Sequence, residues 1–222
     1  MQNQRGSDMI YSAIIFDLDG VLVSTDNCHY EAWKKLADEE GIYFDRTINE
    51  RLRGVSRMES LEIVLEKAEK TYSDEQKTEM AERKNGYYKK LIEELDENAI
   101  LEGVVEFVET AKKNGLKIAI GSSSKNTNAI LKQVGLYDTF DAIADGNDIK
   151  NSKPAPDVFL VAANKLGIEP AQCMVVEDAD AGVEAALAAE MDVLAVGYAS
   201  KNEKATYRAE SLNDKNIWGY LK

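Results

Sequence analysis

The sequence predicts an α/β fold, with a doubly wound parallel sheet as its core and an inserted, all-helical cap domain. Three observations indicate this fold. Short apolar segments alternate with helical patterns in the second half of the chain, as in parallel sheets covered by helices. A long stretch after the first strand has helical spacing and no convincing strand. Polar residues follow several strands directly, as in Rossmann-like folds that bind ligands at that edge of the sheet.

The first predicted strand covers residues 12–16 and is a continuous apolar run, typical of a strand buried on both faces. It leads directly into Asp17, Asp19 and Gly20. In an extended chain, residues two apart point to the same side, so the two carboxylates can share one small site. A lone Asp-x-Asp pair is also common in solvated turns, and by itself this pair would be interpreted that way.

Residues 27–96 form the predicted helical cap domain. An apolar pattern with helical spacing begins near Trp33, and a second one begins near Leu61. Ser73 starts a capping-box pattern, which predicts a further, strongly charged helix that reaches Leu95.

The α/β core domain is predicted to comprise residues 10–26 and 97–222, and residues 1–9 are expected to be a disordered leader. Four short apolar segments after the insert predict further strands, at residues 117–120, 142–144, 174–176 and 193–196. Several of the helical patterns in this half of the chain end at a glycine, the usual residue just past a helix end.

Composition and charge exclude several classes of function. Of the 222 residues, 44% are hydrophobic and 30% are charged, and no apolar run is long enough to span a bilayer. The formal net charge of -13 disfavours binding to nucleic acid or to an anionic membrane. Cys28 and Cys173 lack the spacing of a zinc site. Without a secretory signal, they are expected to be free thiols in the cytoplasm.

Polar residues follow four of the predicted strands. Asp17 follows the first strand, Ser122 the second, Lys153 the loop after the third, and Glu177 and Asp178 the fourth. Because ligands bind beyond the carboxyl ends of parallel strands, we expect these side chains to converge in one cleft. The alternative for Ser122, Glu177 and Asp178 is that they only cap the helices that follow them.

Phosphoryl transfer with Mg²⁺ is the chemistry that these residues fit best. Asp17 is placed as a nucleophile, and Asp19 as a general acid and base beside it. A carboxylate that attacks a phosphate dianion is repelled by it, so a hard cation is needed, and Glu177 and Asp178 can supply oxygen ligands for it. Lys153 lies on a loop restrained by prolines and is suited to hold a phosphate, although most loop lysines are solvated.

Two further groups of residues are suited to bind phosphate. Hydroxyl and backbone N–H groups at the start of one helix can hold an anion; they belong to Ser122, Ser124, Lys125 and Asn126. In the cap, a segment with two guanidinium groups around a glycine turn is a candidate clamp for a second phosphate. This segment is Arg53, Gly54, Val55, Ser56 and Arg57. Considered alone, it would be interpreted as a solvated loop.

His29 and Trp33 are candidates in the first helix of the cap. His29 is the only histidine and lies close to Asp19 in sequence, so a proton-handling role is a hypothesis, with a partly buried structural histidine as the commoner case. Trp33 is a candidate for contact with a sugar, and packing in the cap core is its commoner role.

Together, these motifs resemble those of the haloacid dehalogenase superfamily of phosphotransferases. The four motifs are, in order, Asp17-Leu18-Asp19-Gly20-Val21, Ser122, Lys153-Pro154 and Glu177-Asp178. An all-helical cap inserted after the first motif is similar to that of the subgroup that includes β-phosphoglucomutase. Finer matches to that subgroup lie in residues 29–33, 53–61, 83–85, 122–126 and 142–157.

The resemblance implies a role for each acidic residue. Asp17 would carry the phosphoryl group as an aspartyl phosphate, which makes the protein a phosphoprotein during turnover. Asp19 would act as acid and base for a sugar hydroxyl. Mg²⁺ would be held by Asp17, Asp178 and the backbone carbonyl of Asp19. Glu177 would assist directly or through the outer shell.

The resemblance also implies how phosphate is bound. Ser122 and Lys153 would hold the transferring group, and Arg57 would grip the distal phosphate. Residues expected to help at the distal site are Lys84, Ser124, Lys125 and Asn126. Arg53 stands where lysine is frequent in the subgroup.

The implied activity is an isomerase that interconverts β-D-glucose 1-phosphate and D-glucose 6-phosphate through glucose 1,6-bisphosphate. The alternative is a sugar-phosphate phosphatase on the same scaffold, in which water takes the phosphoryl group. The expected partners are a phosphorylated hexose and its bisphosphate, with no nucleic acid and no membrane. The protein is expected to be a cytoplasmic monomer.

Overall fold

A computed structural model describes residues 11–221 and contains a six-stranded parallel sheet. Its strands are β1 (Ala13–Phe16), β2 (Lys117–Gly121), β3 (Ala142–Ala144), β4 (Cys173–Glu177), β5 (Asp192–Ala195) and β6 (Tyr207–Arg208). They lie in the order β3-β2-β1-β4-β5-β6, with helices on both faces. The predicted α/β fold, a doubly wound sheet with a helical cap, is confirmed. The predicted leader, residues 1–9, lies outside the described residues.

The register of the sheet aligns the carboxyl ends of its central strands. Phe16 of β1 pairs with Ile120 of β2 on one side and with Val176 of β4 on the other. The backbone N–H of Asp17 donates to the carbonyl of Val176 at 2.9 Å. Asp17 and Glu177 therefore leave the sheet next to each other.

The described chain has eight α-helices. They are α1 (Asp26–Glu40), α2 (Arg46–Glu50), α3 (Arg57–Leu65), α4 (Asp74–Ile92), α5 (Val104–Lys113), α6 (Thr127–Gln133), α7 (Asp157–Leu166) and α8 (Asp180–Ala188). Ile14 and Phe16 of β1 pack on the face covered by α5 and α6, and Ala13 and Ile15 on the face covered by α7 and α8. All four side chains are buried, which explains the unbroken apolar run.

Helices α1 to α4 form the insert and share a hydrophobic cluster of their own. No strand occurs between residues 26 and 92. Four large side chains of this cluster are fully buried: Trp33 and Leu36 of α1, Leu61 of α3 and Met80 of α4. The insert is therefore helical, as predicted. The domain boundaries at residues 27 and 96 stay a prediction.

The ends of the cap helices differ slightly from the predicted ones. Helix α1 already begins at Asp26, and α4 ends at Ile92, three residues before Leu95. The side chain of Gln133 donates to the backbone carbonyls of Glu93 and Leu95, both at 2.9 Å. These carbonyls therefore accept hydrogen bonds from outside α4, and the helix ends before the predicted residue.

The capping box at Ser73 is present. The Ser73 hydroxyl accepts from the Gln76 amide, and the Gln76 side chain accepts from the Ser73 amide. Strand β6 was not predicted, because its two residues are too few to show a period-2 pattern. Within residues 11–221, no helix combines the length and the apolar character needed to cross a membrane.

Candidate active site

Loops at the carboxyl ends of the strands bring polar side chains together around Lys153. Its Nζ lies 2.5 Å from Asp17 Oδ1 and 2.5 Å from Glu177 Oε1. All three side chains are buried. The loop after β3 therefore meets the ends of β1 and β4, and residues expected to converge do so.

The ammonium of Lys153 compensates two buried carboxylates. Burial lowers its pKa, but the charges of Asp17 and Glu177 outweigh burial, so the pKa of Lys153 lies above its ordinary value. Lys153 is therefore a permanent positive charge beside Asp17. Removal of one partner from a buried ion pair leaves an uncompensated charge, which costs about 3–5 kcal/mol in other proteins.

A third carboxyl group, that of Asp178, lies beside Asp17 and Glu177, so the cluster holds three acidic groups and one ammonium. One carboxylate oxygen from each of Asp17, Glu177 and Asp178 lies within 4.8 Å of the others. Burial, followed by the charges of Glu177 and Asp17, raises the pKa of Asp178 to about 8. Mg²⁺ prefers sites whose hard oxygen ligands can carry more negative charge than the positive charge around them. The residues therefore fit the implied metal.

Glu177 is held at both of its oxygens. Oε1 accepts from Lys153, and Oε2 accepts a 2.8 Å hydrogen bond from the amide of Ala179. A Cβ on Gly182 would lie only 1.9 Å from Cδ of Glu177, so the first turn of α8 leaves room for this carboxylate. With both oxygens engaged, Glu177 is better suited to the outer shell of a metal than to direct ligation.

Asp19 lies beside the cluster and is half-buried. Its Oδ1 accepts a hydrogen bond from the hydroxyl of Thr25. Burial and then the charge of Asp17 raise the pKa of Asp19 to about 6, against a lowering by the Thr25 hydrogen bond. A carboxyl group with a pKa near neutrality can both donate and accept a proton. Thr25 belongs to no motif, so the sequence alone does not indicate its role.

The loop between β2 and α6 is ordered by its own serines. The Oγ of Ser122 accepts from the amide of Ser124, and the Oγ of Ser124 accepts from the amide of Asn126, each at 3.2 Å. Ser122 is buried and follows β2, the neighbour of β1, so it lies at the same edge of the sheet as Asp17. Lys125 is exposed.

Asn126 connects this loop to the cap. Its side-chain amide donates to Oδ1 of Asn85 in α4 at 3.0 Å. Asn126 itself is buried. The cap therefore contacts the loop on this side of the cleft.

A basic group lies in the cap. Lys84 is only 3% exposed, and its Nζ lies 3.0 Å from Nδ1 of His29 and 4.8 and 4.7 Å from the ring centres of Trp33 and Tyr88. Burial, followed by the charge of Arg57, lowers the pKa of Lys84 to about 7. Within residues 11–221, no carboxylate lies within ion-pair distance of Lys84. Such a group is receptive to an anion.

His29 and Trp33 both lie next to the ammonium of Lys84. Burial and the neighbouring charge of Lys84 hold the pKa of His29 well below its ordinary value, so His29 is neutral. Trp33 is 1% exposed and lies in the cap core. Trp33 therefore has a packing role. The hydrophobic cluster of the cap encloses its ring and leaves no exposed face for a sugar to contact.

The two arginines of the candidate clamp have different surroundings. Arg53 forms ion pairs with Asp26 and Glu50, so its guanidinium is already occupied. Arg57 begins α3 close to Lys84, and no carboxylate of the described chain lies within ion-pair distance of it. Only Arg57 is thus placed to bind a further anion.

The residues between these arginines shape the turn. Gly54 has a φ of 71°, a left-handed conformation that favours glycine. Val55 is half-buried. The Oγ of Ser56 accepts from the amide of Glu59 at 3.3 Å and forms the N-cap of α3. The hydroxyl of Ser56 therefore has a structural role here.

The chain matches a known protein family over most of its length. The family model described as haloacid dehalogenase-like hydrolase matches residues 11–190. The chain belongs to this family. The matched range includes the acidic cluster, Lys153 and the whole cap of this family member.

Individual relatives include mutases and a phosphatase. Over 187 residues, the chain is 43% identical to β-phosphoglucomutase of Bacillus subtilis, with 83% of each chain covered. A crystal structure of β-phosphoglucomutase from Clostridium difficile matches with a TM-score of 0.87 at 42% identity, over 96% of this chain and 97% of that one. A fructose-1-phosphate phosphatase of Escherichia coli is 31% identical over 186 residues, 84% of this chain and 96% of the relative.

The variant Gly20→Ala is expected to disrupt the acidic cluster. Gly20 has a φ of 80°, and a Cβ there would lie 2.0 Å from Oδ2 of Asp178, so this carboxylate must move. We expect Mg²⁺ affinity, measured by titration calorimetry, to fall by about tenfold or more. The control is Gly86→Ala in α4, whose Cβ would meet nothing within 4 Å. Equal Mg²⁺ affinity in both variants would contradict the placement of Asp178.

The variant Lys84→Met is expected to change how stability depends on pH. The pKa of Lys84 falls from 10.5 to about 7 in the folded protein, so between these values the unfolded chain binds more protons. The free energy of unfolding of the wild type therefore rises with pH in this window, by up to about 1.4 kcal/mol per pH unit from this group. At and below pH 7 the burial penalty is present in full.

Lys84→Met removes that penalty, so its advantage in stability over the wild type should shrink as pH rises from 7 to 9. Urea denaturation at several pH values measures this difference, with Lys90→Met, an exposed lysine of the same helix, as the control. Parallel pH profiles for wild type and Lys84→Met would show that Lys84 keeps its charge in the folded protein.

Proposed function

We propose that this protein is a β-phosphoglucomutase, which interconverts β-D-glucose 1-phosphate and D-glucose 6-phosphate. The main support for this proposal is that the protein has two cationic sites, one in the core and one in the cap. Lys153 lies beside Asp17 in the core, and Lys84 lies with Arg57 in the cap. A hexose bisphosphate has two phosphates that need such sites at the same time. The identity with the mutase of Bacillus subtilis supports the same activity.

Asp17 is the proposed nucleophile. Its carboxylate attacks the phosphorus of a sugar bisphosphate and becomes an aspartyl phosphate, so the protein is phosphorylated during each turnover. Lys153 neutralises the phosphoryl oxygens, and the hydroxyl of Ser122 at the neighbouring strand end donates to them. The ion pair in the structure keeps Lys153 at Asp17 before substrate arrives.

Mg²⁺ is the proposed cofactor, held by Asp17, Asp178 and the backbone carbonyl of Asp19, with Glu177 in the outer shell. When bound, it supplies the positive charge that lets a carboxylate approach a phosphate dianion. The residues themselves keep the site dry and fix the approach of the phosphoryl group.

Asp19 is the proposed general acid and base. It removes the proton from the sugar hydroxyl that attacks the aspartyl phosphate, and it returns a proton to the leaving oxygen in the other half-reaction. A pKa of about 6 suits both directions near neutral pH. The hydroxyl of Thr25 holds the carboxylate in position for this transfer.

The cap is proposed to bind the phosphate that is not reacting. Arg57 and Lys84 supply charge, and the residues on the core side of this site are Ser124, Lys125 and Asn126. After one transfer the bisphosphate must turn around, so that the second phosphate reaches Asp17. A cap that opens and closes allows this exchange while the sugar stays near the site. The monomeric state stays a prediction, as does a cytoplasmic location.

A sugar-phosphate phosphatase is the second candidate. The relative from Escherichia coli supports it, because this phosphatase is 31% identical to the chain over 84% of its length. The two functions differ only in whether a sugar hydroxyl or water accepts the phosphoryl group from Asp17.

The two functions are separated by a phosphate balance. With Mg²⁺ and a trace of glucose 1,6-bisphosphate, we expect the protein to convert β-glucose 1-phosphate into glucose 6-phosphate, with inorganic phosphate released only as a trace beside the isomer. Asp17→Asn should lower turnover by about a thousandfold or more, since the nucleophile is lost. The control is Asp38→Asn, an exposed residue of α1. Circular dichroism verifies that both variants fold.

Steady release of inorganic phosphate without formation of glucose 6-phosphate would show that the protein is a phosphatase and not a mutase. Turnover that survives in Asp17→Asn would remove Asp17 as the nucleophile under either function.

A further inference from the structure

Arg53 contacts both the cap and the core from the loop between α2 and α3. Its guanidinium donates to the carboxylate of Asp26 at the start of α1, and its Nε donates to Glu50 at 3.0 Å. Its Cζ lies 3.7 Å from the ring centre of Tyr198, in the core segment after β5. Its Nη1 lies 4.0 Å from Oδ2 of Asp178. One side chain therefore joins cap residues to two core loops.

The backbone next to Arg53 also lies close to the core. A Cβ on Gly54 would be 3.0 Å from Cβ of Ala179 and 3.7 Å from Cβ of Ala181. Both alanines belong to the junction of β4 and α8, directly after the acidic cluster. The cap loop thus packs against the core at backbone distance, and this contact complements the side-chain contact of Arg53.

Tyr198 presents an exposed ring to this arginine. The residue is 64% exposed, whereas the Arg53 side chain is 17% exposed. A planar guanidinium over an aromatic face is a favourable cation–π geometry, which a lysine reproduces less well. The carboxylates of Asp26 and Glu50 fix the orientation of the guanidinium from the cap side.

We propose that Arg53, Tyr198 and Asp26 form a latch that holds the cap against the core. Opening of the cap separates Arg53 from Tyr198, while Asp26 and Glu50 move with the cap and keep the guanidinium oriented for closure. Arg53 and Tyr198 are positioning residues, since they act by fixing the cap and not by touching the sugar.

The catalytic consequence of the latch rests on the proposed function. In an open site, water attacks the phosphorus of the Asp17 aspartyl phosphate. The bond from phosphorus to the aspartate oxygen breaks, a bond to the water oxygen forms, and the proton of water passes to Asp19 as inorganic phosphate leaves. A closed cap excludes this water, so the latch favours transfer to the sugar hydroxyl.

The variants Tyr198→Leu and Tyr198→Phe test the latch. Leucine removes the aromatic face, and phenylalanine keeps it, so the second variant is the matched control. Amide hydrogen exchange of the peptide that covers residues 51–58 measures cap opening without any substrate. We expect exchange about two- to fivefold faster in Tyr198→Leu than in the wild type, the equivalent of one partly exposed cation–π contact. Tyr198→Phe should match the wild type.

The same variants test the catalytic consequence. Inorganic phosphate released per glucose 6-phosphate formed should rise by a similar factor, about two- to fivefold, in Tyr198→Leu only. Equal exchange in the Leu and Phe variants would overturn the latch. Faster exchange with unchanged phosphate release would overturn its effect on hydrolysis. If the wild type forms no isomer, the proposed mutase fails, and the exchange experiment still decides on the latch.

Discussion

The buried contact of Lys153 with Asp17 and Glu177 is the interaction on which the rest of the site depends. Two carboxylates at the ends of adjacent strands repel each other in a dry environment, and the ammonium between them makes their proximity possible. Asp178 adds a third carboxyl group, and burial and the charges of Glu177 and Asp17 raise its pKa to about 8. The core is therefore built to attract a cation and then a phosphoryl group, and the parallel sheet keeps these groups in register.

The cap contributes two cationic side chains, those of Lys84 and Arg57. Lys84 is buried against aromatic rings and a neutral His29, and no carboxylate of the described chain lies within ion-pair distance of Arg57. Two cationic side chains in the cap and an acidic cluster in the core suit a substrate that carries phosphate at both ends, once a metal has compensated the carboxylates. The contacts of Arg53 with Tyr198 and of Asn85 with Asn126 join the two parts.

The sequence predicts the core better than the cap, for physical reasons. Asp17, Asp178 and Lys153 were expected together because parallel strands all end at one edge of a sheet. The stacking of Arg53 on Tyr198 joins a loop of the cap to a core segment far away in sequence, so it has no local signal. The alternation of strands and helices likewise predicted five of the six strands of the described chain, and the two-residue β6 was too short to be recognised.

A crystal structure with Mg²⁺ and beryllium trifluoride, which mimics a phosphoryl group on a carboxylate, would show whether Asp17 is the nucleophile and whether Asp178 binds the metal beside it. We expect beryllium on Asp17, Mg²⁺ between Asp17 and Asp178, and Lys153 in contact with the fluorides. Beryllium on Asp19, or Mg²⁺ bound without Asp178, would contradict this expectation.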